Sequence, residues 1–132
     1  MSRENIESFR EAVDVFNRGG NMDWVDRLWD PGVVVRADPI WPGGPFYGID
    51  AARAFIADLV ATLGTAQVVI EDLTDAADRV VARVRVRVHG AQSGAQGDLG
   101  YTQILTHRDG KVILVEYFLD HAQALEALGL RE

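Results

Sequence analysis

The sequence predicts an α+β domain in which helices cover one face of a curved antiparallel sheet. Apolar residues recur at helical spacing up to Leu63 and alternate with a period of two residues after it. Residues 101–120 then read as two long strands joined by a tight turn at Asp109-Gly110, a pair that tolerates the positive φ of hairpin turns. Helices followed by an antiparallel meander are typical of the α+β class.

Three helices are predicted in the first half of the chain. The first ends at two glycines, residues 19–20, and a short second helix follows the capping residue Asn21 and stops before Pro31. The third spans residues 51–63 behind the capping residue Asp50. Their buried faces consist of Ile6, Phe9, Val13 and Phe16, then Met22, Val25, Leu28 and Trp29, then Phe55, Ile56, Leu59 and Val60.

Short β-branched or alternating runs predict the strands. A first strand covers residues 33–37 and leads into a loop of helix breakers at residues 38–45. Strands at residues 67–73 and 79–89 follow the third helix, and the second of them alternates a valine-rich face with a basic face. The basic face consists of Arg83, Arg85, Arg87 and His89. A last helix begins behind the capping residue Asp120.

Composition and charge exclude several classes of protein. With 48% hydrophobic and 25% charged residues, the chain is expected to form a single domain over residues 1–132 with a core of its own. A formal charge of −7 opposes binding to nucleic acid. Cysteine is absent, no apolar run reaches membrane-spanning length, and the N-terminus does not resemble a secretion signal. We therefore expect a cytoplasmic protein without membrane or nucleic-acid partners.

Four short motifs, in this order, resemble the SnoaL-like branch of the nuclear transport factor 2-like superfamily. They are Phe-Asn-Arg-Gly at residues 16–19, Tyr-Gly-Ile-Asp-Ala-Ala at 47–52, Arg-Asp-Gly-Lys-Val at 108–112 and Phe-Leu-Asp at 118–120. The resemblance covers essentially the whole chain. It implies a cone-shaped α+β barrel, usually a homodimer, whose helices and concave sheet enclose an apolar pocket. The superfamily includes ketosteroid isomerases, polyketide cyclases, epoxide hydrolases, dehydratases and proteins without known chemistry, so the fold alone does not give the function.

Asp38 is the strongest candidate for a catalytic base. It follows the first predicted strand, beside Pro39 and close to Trp41. Apolar surroundings disfavour the charged form of a carboxyl and make it a better base near neutral pH. Its position resembles that of the Asp-Pro pair in ketosteroid isomerases, where the aspartate is the general base. The alternative is a structural aspartate that hydrogen-bonds the backbone of a proline-rich turn.

Other positions depart from the catalytic patterns of two groups of relatives. The tyrosine and the protonated aspartate of the ketosteroid isomerase oxyanion hole are matched here by Ala12 and Gln103, so that reaction is not expected. The Asp-Arg-Asp set of the epoxide hydrolases is matched by Val84, Val86 and Tyr117, which excludes their chemistry. The comparison nevertheless implies that these last three side chains point into the pocket.

Alternate residues of a β-strand point to the same face of the sheet, a rule called strand parity below. Strand parity and the resemblance together predict a pocket with apolar walls and few polar groups. Parity adds Val115 and Leu119 beside Tyr117, and Tyr101 beside Gln103 on the neighbouring strand. The predicted catalytic residues are Asp38, Tyr117 and Gln103, and the predicted ligand-binding residues are Trp41, Tyr101, Val84, Val86, Val115, Leu119, Phe16 and Phe55. Tyr117 would donate a hydrogen bond to a carbonyl or phenolate that Gln103 orients. Alternatively, the tyrosines are core aromatics whose hydroxyls bond to a neighbour.

The three histidines match no metal-binding spacing, and neither a metal nor a cofactor is expected. His89 closes the basic strand face, His107 precedes the exposed turn and His121 begins the last helix, so surface or capping roles are predicted for all three. The basic face is predicted to be solvated or to form a dimer interface.

Two functions remain open at this stage. The first is an enzyme that performs cofactor-free acid/base chemistry, as an isomerase, cyclase or dehydratase, on a small polyketide-, terpenoid- or steroid-like molecule. The second is a non-catalytic module whose pocket binds a small hydrophobic molecule, or which serves as a dimeric interaction module. The small number of polar groups in the predicted pocket favours the second.

Overall fold

One mixed sheet carries helices on both of its faces. The computed structural model describes residues 2–18, 23–37, 43–63, 67–88 and 97–129. The elements in chain order are α1 (Ser2–Asn17), α2 (Asp23–Leu28), β1 (Trp29–Arg36), β2 (Phe46–Tyr47), α3 (Ile49–Leu63), β3 (Gln67–Ala76), β4 (Arg79–Val88), β5 (Gly97–Arg108), β6 (Lys111–Phe118) and α4 (His121–Ala127). The predicted α+β class is confirmed.

The strands follow the order β2-β1-β6-β5-β4-β3 across the sheet. The predicted hairpin between β5 and β6 is confirmed, and its turn residues Asp109 and Gly110 have positive φ values of 54° and 80°. Every neighbouring pair is antiparallel except β1 and β6, which run parallel. The prediction of a wholly antiparallel sheet is therefore wrong at this pair. A helix and four strands separate β1 from β6 in the chain, and such a long connection permits parallel pairing.

The first strand begins earlier than predicted. β1 starts at Trp29, which directly follows α2, and it includes Pro31. Its register against β6 shifts between Trp29 and Val34, and such an irregularity accommodates a proline that cannot donate to the ladder. The two-residue strand β2 was not predicted, because two residues carry no periodicity.

The two faces of β4 have different characters. Val84 and Val86 alternate with exposed or half-exposed arginines along β4, which confirms the predicted apolar and basic faces of that strand within the described residues. Arg85 Nε forms an ion pair with Glu71 Oε2 at 3.0 Å on the basic side. His89 lies outside the described residues.

Helices α1, α2 and α3 pack on the apolar face of the sheet. The core between these layers includes Trp24, Val25, Trp29, Val35 and Phe55. The Trp24 and Trp29 rings meet edge to face with centroids 5.5 Å apart, which joins α2 to β1. Within the part of the chain that the structure describes, no helix is both long and apolar enough to cross a bilayer.

Helix α4 packs on the opposite face, so the expectation that all helices share one side is wrong. Asp120 caps α4 as predicted, because its Oδ1 accepts a hydrogen bond of 2.8 Å from the backbone N–H of Ala122. His121 Nδ1 lies 2.8 Å from Thr102 Oγ1, and Ala124 is fully buried. Thr102 alternates with Tyr101 and therefore faces away from the other three helices.

Candidate functional site

A largely apolar cavity of about 240 Å³ lies between the helices and the apolar face of the sheet. Its helical wall is formed by Ser8, Phe9, Ala12, Val13, Phe16, Trp24, Leu28, Ile56 and Leu59, and its sheet wall by Trp29, Val68, Val86, Leu99, Tyr101, Gln103, Leu105, His107, Val112 and Tyr117.

Alternate residues of β5 follow the length of the cavity. They are Leu99, Tyr101, Gln103, Leu105 and His107. Leu99 is 43% exposed, whereas Gln103, Leu105 and His107 are buried. Within the described part of the wall, the cavity is therefore most accessible at the Leu99 end and closed at the His107 end.

The Asn17 side chain attaches the end of α1 to the sheet. Asn17 Nδ2 donates to the Val68 carbonyl oxygen, and Asn17 Oδ1 accepts from the Val68 backbone N–H, both at 2.8 Å. The Asn17 amide thus bonds β3 in the way that a neighbouring strand would. This attachment fixes the adjacent Phe16 at the cavity wall.

Tyr117 and Gln103 form the polar centre of the sheet wall. They are register partners on β6 and β5, and Gln103 Nε2 donates to Tyr117 Oη at 3.3 Å. The Tyr117 ring lies 5.4 Å from the Tyr101 ring and 6.1 Å from the Phe55 ring, measured between centroids. A hydroxyl has one donor and two acceptor positions. The Gln103 amide occupies one acceptor position of the Tyr117 hydroxyl. The hydroxyl proton takes no part in that bond, so it can be donated in a hydrogen bond to a ligand.

Both cavity tyrosines are neutral hydrogen-bond donors. Burial raises the pKa of Tyr101 to about 12. Burial, together with the nearby Tyr101, raises the pKa of Tyr117 well above its ordinary value. Neither phenol ionises near neutral pH, so neither can act as the base of a reaction. A base at this site must come from another residue.

His107 is a cavity residue, and the prediction of a surface role for it is wrong. Its side chain is only 5% exposed and lines the cavity, and its Nδ1 has no hydrogen-bond partner within the described residues. β5 continues to Arg108, so the exposed turn begins one residue later than expected. Strand parity, applied from Tyr101 through Gln103 and onward, would have indicated the inward direction of His107.

The pH dependence of stability should report this buried imidazole. Burial lowers the pKa of His107, and the carbonyl oxygens of Leu105 and Asp78 act in the opposite direction. A histidine with a lowered pKa binds its proton more readily in the unfolded chain, so it destabilises the fold as the pH falls below about 6.5. We expect the free energy of unfolding, measured with urea, to fall less between about pH 7.5 and 5.5 in His107→Phe than in the natural chain. His121→Gln serves as the control, and equal falls in the natural chain and His107→Phe would contradict the expectation.

The sequence matches the family model of the SnoaL-like domain over residues 9–115, which is most of the chain. The chain belongs to the SnoaL-like domain family. No curated protein matches it. The family resemblance drawn from the short motifs is thus confirmed.

Solved structures share the fold of this SnoaL-like domain. An NTF2-like protein of unknown function from Burkholderia pseudomallei has 22% identity and a TM-score of 0.77, with 97% of this chain and 98% of that chain covered. A protein described as a SnoaL-like polyketide cyclase, from Jannaschia sp., has 23% identity and a TM-score of 0.77, covering 100% and 96%. TerC, co-crystallised with polyporic acid, has 21% identity and a TM-score of 0.74, covering 96% and 98%. At these identities the likeness shows a shared fold. It does not show a shared chemistry.

The structure brings five of the predicted site residues together in the cavity of the SnoaL-like domain. They are Phe16, Val86, Tyr101, Gln103 and Tyr117. Val84, Val115 and Phe55 are buried in the core behind the wall and do not line the cavity. Phe55 still supports the site, because its ring packs edge to face on Tyr117.

Leu119 lies away from the cavity. β6 ends at Phe118, so the alternation that was used to place Leu119 no longer applies one residue later. Its side chain is half exposed and borders a shallow cleft on the outer face together with Arg83 and His121.

Asp38 and Trp41 lie outside the described residues. The strand that leads to them is well defined: Arg36 pairs with Glu116, the residue before Tyr117, and Ala37 is buried. The chain therefore leaves β1 beside the row of the sheet that contains Tyr117. Among the residues that the structure does describe, no group of three histidine, aspartate or glutamate side chains could hold a metal ion.

Proposed function

We propose that this SnoaL-like domain binds a small hydrophobic carbonyl compound and performs cofactor-free acid/base chemistry on it, of the isomerase, cyclase or dehydratase type. The observation that carries the proposal is the Tyr117 hydroxyl. It lies buried in an apolar wall, it accepts from Gln103, and its own proton is free of that bond. A donor held in this way in a low-dielectric site stabilises the negative charge that develops on a carbonyl oxygen.

The three predicted catalytic residues each have a role in the proposed reaction. Asp38 is the general base and takes a proton from the carbon next to the carbonyl, so that the electron pair of the C–H bond moves onto the carbonyl oxygen. Tyr117 donates a hydrogen bond to that oxygen, and Gln103 holds the Tyr117 hydroxyl in place. The proton on Asp38 then returns to another atom of the same molecule or protonates a leaving hydroxyl.

The cavity indicates the class of substrate. Its volume of about 240 Å³ is slightly below the usual range of ligand pockets, and its described wall has few polar side chains, namely Ser8, Tyr101, Gln103, His107 and Tyr117. A compact polyketide-, terpenoid- or steroid-like ketone matches these properties. Trp41 and Tyr101 are proposed as further ligand contacts. The polyketide cyclase description of one structural neighbour, and the polyporic acid in the crystals of another, support this class.

The alternative is a binding module without catalysis. The scarcity of polar groups in the described wall favours it, because binding needs only the apolar surface and one oriented donor. A homodimer and a cytoplasmic location are proposed whether the domain is an enzyme or a binding module.

A ligand screen with product analysis separates the two versions. The purified protein is incubated with a panel of aromatic ketones, terpenoid enones and steroid enones, binders are identified by native mass spectrometry, and each bound compound is analysed for conversion over time. We expect at least one carbonyl compound to bind and to be converted. Binding without conversion across the panel would support the binding module, and the absence of any binding would contradict both versions.

A further inference from the structure

We propose that His107 anchors a hydroxyl group of the ligand at the closed end of the cavity. The ligand then carries two polar groups, a carbonyl at Tyr117 and a hydroxyl at His107. This assignment rests on the proposed function only for ligand binding in the cavity, and it does not require that a reaction takes place there.

The first support is a buried imidazole at the cavity wall. His107 lines the cavity and is 5% exposed, yet its Nδ1 has no hydrogen-bond partner within the described residues. Nearly all buried polar atoms in proteins are paired, and an unpaired one destabilises the fold. Nδ1 has almost no accessible surface, so a ligand hydroxyl in the cavity would meet the imidazole at its other nitrogen, Nε2. Because a hydroxyl both donates and accepts, it suits either tautomer of the neutral imidazole.

The second support is the apolar surroundings of that atom. His107, Val112 and Trp29 form one row across β5, β6 and β1, and Leu105 is the next cavity residue along β5. All three neighbours are buried and apolar. The pKa of His107 is lowered by this burial, so the imidazole is neutral near neutral pH. A neutral imidazole with apolar side chains beside it on the sheet therefore favours a hydroxyl over both a charged group and an apolar one.

The third support is the spacing along β5. His107 lies four residues from Gln103 on the same face, which corresponds to about 13 Å along the strand. A hydrogen bond of about 2.8 Å at each end, directed along the cavity, leaves roughly 7–8 Å between the two polar atoms of the ligand. This distance specifies an elongated aromatic ketone with a hydroxyl on the ring that points to the closed end.

A matched pair of ligands tests the assignment. Chalcone has an enone carbonyl between two rings, and its derivative with a para-hydroxyl on the styryl ring adds a hydroxyl at about the required distance from the carbonyl. Calorimetry gives the dissociation constants of both compounds for the natural protein, for His107→Phe and for the outer-face control His121→Gln. We expect the natural protein and His121→Gln to bind the hydroxylated compound about tenfold more tightly than chalcone. His107→Phe should bind the two compounds equally, and its melting temperature shows that it is folded.

The outcomes separate this inference from the proposed function. An unchanged preference for the hydroxylated compound in His107→Phe would overturn the role of His107 and leave the proposed chemistry intact. A preference that depends on His107, without conversion of any enone, would support the inference and count against catalysis.

A second readout is the imidazole ¹⁵N shifts of His107, which should move on binding of the hydroxylated compound and not of chalcone, while those of His121 stay fixed. Failure of both chalcones to bind would also overturn the assignment.

Discussion

Asp38→Asn is expected to lower turnover of the converted ligand by about two to four orders of magnitude, with little change in its dissociation constant. The amide has nearly the size and shape of the carboxylate but cannot take a proton from carbon. Ligand binding relies on the apolar walls and on Tyr117, which the substitution leaves in place. The measurement is single-turnover kinetics at saturating ligand, with the dissociation constant obtained separately by calorimetry.

The control for this substitution is Asp58→Asn, which makes the same chemical change at an exposed position of α3. Turnover should not differ from that of the natural protein. If Asp38→Asn also retained turnover within a few fold, Asp38 would be excluded as the base. His107, the neutral cavity residue with an unpaired nitrogen, would then be the next residue to test in that role.

Much of the cavity wall could be predicted because strand parity is a local property. The family resemblance implied that Tyr117 points into the pocket, strand alternation added Tyr101 and Gln103, and all three line the cavity. Parity is reliable only while a strand continues. It was extended past the end of β6 to Leu119, which lies at the outer face, and it was stopped too early on β5, where His107 still points inward.

The features that could not be predicted depend on contacts between distant parts of the chain. The pattern of residues 33–37 identifies a strand but contains nothing about its direction, which is set by pairing with β6. Helix α4 has an apolar side that fits either face of the sheet, and the outer face is fixed by Thr102 and His121. Val84 and Val115 are fully buried in the hydrophobic core and do not line the cavity, which residue spacing along a strand cannot foretell.

Tyr117→Phe is expected to lower turnover by about two to three orders of magnitude, because it removes one donor to the developing oxyanion. The ring packing on Tyr101 and Phe55 is retained, so the protein should fold normally. The substitution also leaves the Gln103 amide without its acceptor. Binding of the ground-state ketone should weaken much less than turnover, since a neutral carbonyl gains less from the hydrogen bond than an oxyanion does.

The loss of turnover relative to the loss of ligand binding in Tyr117→Phe decides the role of Tyr117. Tyr47→Phe removes the same hydroxyl from a side chain that is 70% exposed, and it should change neither turnover nor binding. If Tyr117→Phe weakened binding and turnover equally, the hydroxyl would contribute only uniform binding and the binding module would gain support. If neither changed, the ketone would not contact Tyr117, and the buried pair of Tyr117 and Gln103 would be a structural feature of the core. A selective loss of turnover is the result that places the carbonyl oxygen at Tyr117.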